Sequence, residues 1–232
     1  MKESFTNEIL NIEKNIDSET MDKLYRYFVM LKEKNSVMNL TAIRDDEGII
    51  EKHFIDSILM QKYIKNSDKK LIDIGTGAGF PGMVLAIINK DKQFTLLDSV
   101  VKKINFLKEV KESLNLENVE LISERAEEYI VKRREYYDVG LCRGVSELRV
   151  ILEYVIPFLK KDGTFLPQKM SYIEEIENAK NALNLLNSKI LNIHEFKLPK
   201  SKDDRVVIEI IKTGITDKKY PRKVGISKKK PL

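Results

Sequence analysis

Apolar residues recur along this chain with two periods, and the change from one to the other divides it. Between residues 18 and 34, Met21, Leu24, Tyr25, Phe28, Val29 and Leu31 return at helical spacing. Ile49-Ile50, His53-Phe54, Ile58-Leu59 and Tyr63 make a second helical face. Short apolar runs bounded by Gly, Lys or Asp then begin, and residues 70–74, 93–98, 119–123 and 136–143 each read as a buried strand. An amphipathic run with Ile104, Leu107, Val110 and Leu114 separates the second from the third. The pattern continues as a helix over 146–159, a strand over 163–166 and a helix over 171–186. Two strands, 189–197 and 205–212, follow across a polar, proline-containing turn and predict a closing hairpin. Strands alternating with helices predict an α/β fold, with the early helices capping its sheet.

The first strand carries the most informative chemistry, because Lys70-Leu71-Ile72-Asp73-Ile74 runs directly into Gly75-Thr76-Gly77-Ala78-Gly79-Phe80-Pro81-Gly82. Glycines at alternate positions let the backbone turn tightly and approach a ligand. Pro81 suits the first turn of a following helix, where its missing N–H costs nothing. Two frames fit the loop. From Gly77 to Gly82 it matches the dinucleotide fingerprint, whose helix N-terminus receives a pyrophosphate. From Asp73 to Gly79 it places an acid inside the strand, where a pyrophosphate is disfavoured, and this frame fits better. It resembles the first motif of S-adenosylmethionine-dependent methyltransferases. That likeness implies a glycine backbone lying under the methionine half of the cofactor, with the acid orienting its polar groups. A phosphate-gripping P-loop is excluded, since Met83-Val84 stand where its lysine and hydroxyl belong.

Asp98 ends the second strand, one βαβ step after the glycines, where a carboxylate takes ribose hydroxyls in either frame. Its alternative is to cap the next helix. Glu124-Arg125-Ala126-Glu127-Glu128 reads equally as an adenine-facing turn or a solvated helix start. The fourth strand breaks at Arg143-Gly144, which brings an arginine to the carboxyl edge of the sheet. No Asn/Asp-Pro-Pro-aromatic segment is present to grip an exocyclic amine, and Cys142 lies within an apolar strand as a small hydrophobe. A ring nitrogen such as guanine N7 suits this site better, because its lone pair attacks a methyl group without first losing a proton.

Asn39-Leu40-Thr41, His53-x-x-Asp56-Ser57, the loop from Asp73 to Gly82, Leu96-Leu97-Asp98-Ser99, Arg143-Gly144, Tyr220-Pro221-Arg222-Lys223 and Pro231-Leu232 occur in this order. Together they resemble the bacterial glucose-inhibited division protein B family, guanine-N7 methyltransferases of small-subunit (16S) ribosomal RNA. Val37-Met38 depart from its pattern, which has an aromatic there, as does Met170, where a glycine is frequent. The resemblance implies a seven-stranded, Rossmann-like S-adenosylmethionine-dependent methyltransferase fold, mostly parallel with one reversed strand. It implies an N-terminal helical extension (1–68), a methyltransferase core (69–212) and a basic C-terminal tail (213–232). Cofactor contacts are expected from Asp73, Gly75, Gly77, Gly79, Phe80, Asp98, Ala126, Glu127 and Arg143. Arg143, His53 and Lys169 are the expected catalytic set: Arg143 orients guanine or cofactor, Lys169 contacts phosphate, and His53, one turn from Asp56, positions rather than removes a proton.

Charge adds a partner to this picture. Residues 212–232 hold eight basic side chains against Asp217, a local +7, which leaves the rest of the chain near −2 of a net +5. Lys218, Lys219, Arg222, Lys223, Lys228, Lys229 and Lys230 are therefore expected to meet RNA phosphates, with a solubilising, disordered end as the plain alternative. A content of 42% hydrophobic residues in 232 supports one sizeable core, and a single cysteine fits a reducing, cytoplasmic setting. Two histidines and no ligand cluster predict no metal, and the mixed start and absence of a long apolar run predict neither signal nor membrane span. A monomer is expected. The other functions considered are an NAD-dependent oxidoreductase using the Gly77 frame and a noncatalytic RNA-binding ribosome-assembly factor.

Overall fold

The computed structural model describes residues 1–232. Its elements are α1 (Lys2–Leu10), α2 (Ser18–Met38), α3 (Asp46–Ile49), α4 (Asp56–Ile58), β1 (Lys70–Ile74), α5 (Gly82–Ile88), β2 (Gln93–Leu97), α6 (Val101–Ser113) and β3 (Val119–Ile122). They continue as α7 (Ala126–Arg133), β4 (Tyr137–Arg143), α8 (Leu148–Val155), β5 (Leu159–Lys169), α9 (Ile173–Leu185), β6 (Ser188–Lys197), β7 (Asp204–Lys212) and α10 (Ile226–Lys229). The strands form one sheet in the order β3-β2-β1-β4-β5-β7-β6. β1 to β5 are parallel and β7 runs antiparallel to both β5 and β6, so the predicted sheet with one reversed strand is present.

Strand order reverses beside β1, where chains leave toward β2 on one side and β4 on the other, and a crevice opens at their carboxyl ends. The glycine loop, Asp98 and Arg143 all emerge there. α2 begins at Asp17, whose carboxylate accepts the Thr20 N–H at 2.7 Å, and its Tyr27, Phe28 and Leu31 are buried. Phe5, Phe28 and Phe54 join Met83, Val84, Phe94 and Phe106 in one continuous apolar cluster. The early helices thus share the core on that face of the sheet. A second cluster on the other face gathers Tyr129, Phe158 and the apolar side of α8.

Two elements differ from expectation. The second helical face is a succession of α3, a π-helical turn (Ile50–Ile55), α4 and a 3₁₀ turn (Leu59–Tyr63). β5 begins four residues before the predicted strand, because Lys160-Lys161-Asp162 form an irregularity in its pairing with β4. Asp162 takes a left-handed φ of 65° there.

Candidate functional site

The glycine loop is braced from within. Asp73, wholly buried, accepts the Thr76 hydroxyl at 2.7 Å and the Gly82 N–H at 2.9 Å through Oδ2. Asp98 accepts the Gly77 N–H at 2.9 Å through Oδ2 and the Val100 N–H at 2.8 Å through Oδ1. Gly75 and Thr76 donate to the Leu97 carbonyl, while Gly79 and Phe80 donate to that of Thr76. These amides are therefore spent inside the protein. A pyrophosphate needs such groups free, so the dinucleotide frame loses its anion site. Asp73 Oδ1, by contrast, is buried with no partner. Burial pushes this carboxyl up to about 6, with the Thr76 and Gly82 hydrogen bonds acting against the rise.

Beside the loop lies a cavity of about 280 Å³ lined by Gly75, Asp98, Ala126 and Glu127, together with Lys103, Gly144, Tyr154 and Lys228. Gly75 has a φ of +72°, and a Cβ there would run into Val145, so the cavity floor depends on the absence of a side chain. The segment 124–128 turns out to be both of its alternatives, since α7 starts at Ala126 and its first turn forms the wall. Asp98 also braces the start of α6, since the N–H it accepts through Oδ1 belongs to Val100, the residue that caps that helix. Asp73, Gly77, Gly79 and Phe80 lie outside this lining. Phe80 is buried, stacked on His53 at 4.6 Å and on Tyr27 at 5.4 Å.

A second cavity, about 490 Å³, meets the first at Gly144 and is lined by His53, Asp56, Arg143, Gln168, Lys169 and Arg205 among others. His53 and Asp56, one turn apart, do not bond to each other. Arg143 stands between them. One of its nitrogens donates to Asp56 Oδ2 at 3.3 Å and to the Lys52 carbonyl at 2.8 Å, and the other reaches His53 Nδ1 at 3.0 Å. His53 accepts through Nδ1, so its proton sits on Nε2 and is donated to the Thr41 hydroxyl at 2.7 Å. Burial, aided by Arg143, pushes His53 down to about 3, which keeps it neutral. Asp56 also receives Arg205 Nε at 3.0 Å and Gln168 Nε2 at 2.5 Å. Burial raises the Asp56 carboxyl while both guanidiniums pull it down. Arg205 and Gln168 carried no signal in the sequence, Arg205 opening a predicted strand and Gln168 lying just beyond the one predicted over 163–166. Burial likewise raises the Cys142 thiol far above its ordinary range.

Lys169 lies at this cavity's edge, bonded to Glu175 at 2.7 Å and to the Ser146 carbonyl at 2.6 Å. A polar hollow of about 990 Å³ adjoins it, sharing Met170, Ser171, Glu175 and Arg205. The C-terminal segment is not a disordered end. Arg222, expected among the phosphate contacts, instead grips the fully buried Glu153 of α8, with Nη2 to Oε2 at 2.6 Å and Nε to Oε1 at 2.9 Å. A buried carboxylate demands such a partner, so this cation is not free. Lys218, Lys219, Lys223, Lys228, Lys229 and Lys230 are all exposed, and of these Lys228 alone also lines the smaller cavity. No cluster of three His, Cys, Asp or Glu has metal-holding geometry, and no helix is long and apolar enough to cross a membrane.

The fold is shared with solved methyltransferases. M. jannaschii TYW2 in complex with AdoMet superposes with a TM-score of 0.56 at 20% identity, covering 68% of this chain and 76% of that one. A SAM-dependent methyltransferase from Aquifex aeolicus gives a TM-score of 0.54 at 18% identity over 73% and 95%. In sequence, the model of the family described as rRNA small subunit methyltransferase G (GidB) matches residues 20–205. The "Ribosomal RNA small subunit methyltransferase G" of Fusobacterium nucleatum is 62% identical over the whole of both chains. That of Acetivibrio thermocellus is 49% identical over 94% of this chain and 91% of its own. The braced glycine loop and paired cavities therefore sit in a chain that belongs to the rRNA small subunit methyltransferase G (GidB) family.

Proposed function

We propose that this protein transfers the methyl group of S-adenosylmethionine to N7 of a guanine in 16S ribosomal RNA. The observation that carries the reading is the meeting of two cavities at Gly144, one walled by Gly75, Asp98 and Glu127, the other by His53, Asp56 and Arg143. The cofactor supplies a methyl group made electrophilic by a sulfonium. Gly75, Asp98, Ala126 and Glu127 hold it, and Asp73, Gly77, Gly79 and Phe80 support the loop from beneath. The unpaired, buried Asp73 Oδ1 suits a cationic, phosphate-free ligand, and so do the acids around the loop. NAD does not suit it.

Guanine would enter the larger cavity, where Arg143 and its neighbours would present the N7 lone pair to the methyl group that the cofactor would supply. No base is required, which agrees with a neutral His53 whose Nδ1 is already occupied by Arg143. Arg143 is held by Asp56, His53 and the Lys52 carbonyl, and it directs its guanidinium toward guanine O6. Holding nucleophile and methyl group at near-attack distance contributes on the order of 7–11 kcal/mol to lowering the barrier. The exposed Lys218, Lys219, Lys223, Lys229 and Lys230 serve the RNA backbone, whereas Lys169, paired with Glu175, shapes the edge of the larger cavity. On this reading the chain is a cytoplasmic monomer with a helical extension (1–68), a catalytic core (69–212) and a C-terminal segment (213–232). The test is transfer of labelled methyl to small subunits, and to free 16S RNA, lacking the modification, with the methylated base mapped. No incorporation into either substrate refutes the assignment and favours a noncatalytic assembly factor.

A further inference from the structure

We infer that the segment from Tyr220 to Leu232 is a fixed wall of the methyl-donor cavity and that Lys228 is a further cofactor-binding residue. The inference rests on the reading of the smaller cavity as the S-adenosylmethionine site. The segment is anchored where a loose basic arm would not be. Arg222 donates to Glu153 from its backbone N–H at 2.7 Å as well as from its guanidinium, and Glu153 is fully buried. The same guanidinium donates to the Lys230 carbonyl at 2.8 Å, which folds the segment back on itself. Tyr220 and Ser227 are buried, and Leu232 packs on the apolar cluster around α8.

Between these anchors the segment reaches the lining of the cavity. Gly225 N–H donates to Glu127 Oε1 at 3.4 Å, so the segment touches the α7 turn that lines the cavity. One turn further on, Lys228 lines the cavity together with Asp98, Glu127 and Tyr154. An ammonium there meets the adenosine half of the ligand, where ring nitrogens and ribose oxygens are acceptors. Lys229, the next residue, is equally exposed but absent from the lining, which separates position from bulk charge.

Calorimetric titration of the full chain with S-adenosylmethionine tests this. Lys228→Ala is expected to raise Kd by about three- to tenfold, the range of one charge-assisted hydrogen bond lost at a partly exposed site. Lys228→Arg should restore affinity to within about twofold, and Lys229→Ala should leave it unchanged. An unaltered Kd in Lys228→Ala overturns the inference, as does an equal loss in Lys229→Ala or an effect of Lys228→Ala confined to RNA affinity. If the unmodified chain does not bind S-adenosylmethionine at all, it is the reading of the cavity that fails.

Discussion

Cofactor affinity should fall on acidification, with a midpoint set by Asp73 and not by histidine. Asp73 is wholly buried, its Oδ1 has no partner and its carboxyl titrates near 6. His53 is pushed down to about 3 and stays neutral throughout that interval. With a value near 6, Asp73 is about nine-tenths ionised at pH 7 and about one-tenth at pH 5. If only the carboxylate form binds the cationic cofactor, Kd rises about tenfold between these limits, or about 1.4 kcal/mol. The sign follows from linkage. A cation drawn to Asp73 lowers its value on binding, so complex formation near pH 6 must release protons. In the free protein the raised value works the other way, and the buried carboxylate costs stability as pH climbs through 6.

Calorimetry from pH 5 to pH 8, repeated in buffers of different ionisation enthalpy, reads both affinity and proton release. Asp73→Asn keeps an oxygen for the Thr76 hydroxyl and the Gly82 N–H but cannot ionise. It should bind weakly with a flat profile. His53→Asn should keep the acid limb. An acid limb that survives in Asp73→Asn, or vanishes in His53→Asn, refutes the assignment.

Three further outcomes follow from the geometry. Arg143→Ala empties the junction of His53, Asp56 and the Lys52 carbonyl, and single-turnover methyl transfer should fall by about a hundredfold, with a smaller change in cofactor affinity; an unchanged rate removes the orientation role. Arg222→Ala leaves Glu153 buried beside no cation and should cost about 3 kcal/mol in urea unfolding, so a loss below about 1 kcal/mol contradicts the pairing. Cys142→Ala should retain methylation within about twofold while costing about 1 kcal/mol of stability, and loss of activity in a stably folded variant would make the thiol a participant.

Much of the fold was legible because its central strands are continuous apolar runs cut off by Gly, Lys or Asp, which is what a sheet buried on both faces requires. Where a strand opened on charged residues, as Lys160-Lys161-Asp162 open β5, periodicity carried no trace of it. The glycine loop and Asp98 were legible because their spacing is local. The far side of the site was not, since Arg205 and Gln168 reach Asp56 across 149 and 112 residues of chain and carry no local signal until the sheet brings them together.

The C-terminal segment shows a different blind spot, and the missing information was partly present elsewhere. Glu153 sits inside Val150-Ile151-Leu152-Glu153-Tyr154-Val155-Ile156, an acid in an otherwise apolar helix. A carboxylate in that setting is costly to bury without a cation brought to it. The cation is Arg222, 69 residues later, so part of the tail's apparent charge is already spent before any RNA arrives. Counting charge along a segment overstates what a partner can feel. An acid stranded in an apolar run marks where some of that charge has gone, and here it anchors the segment whose Lys228 lines the smaller cavity.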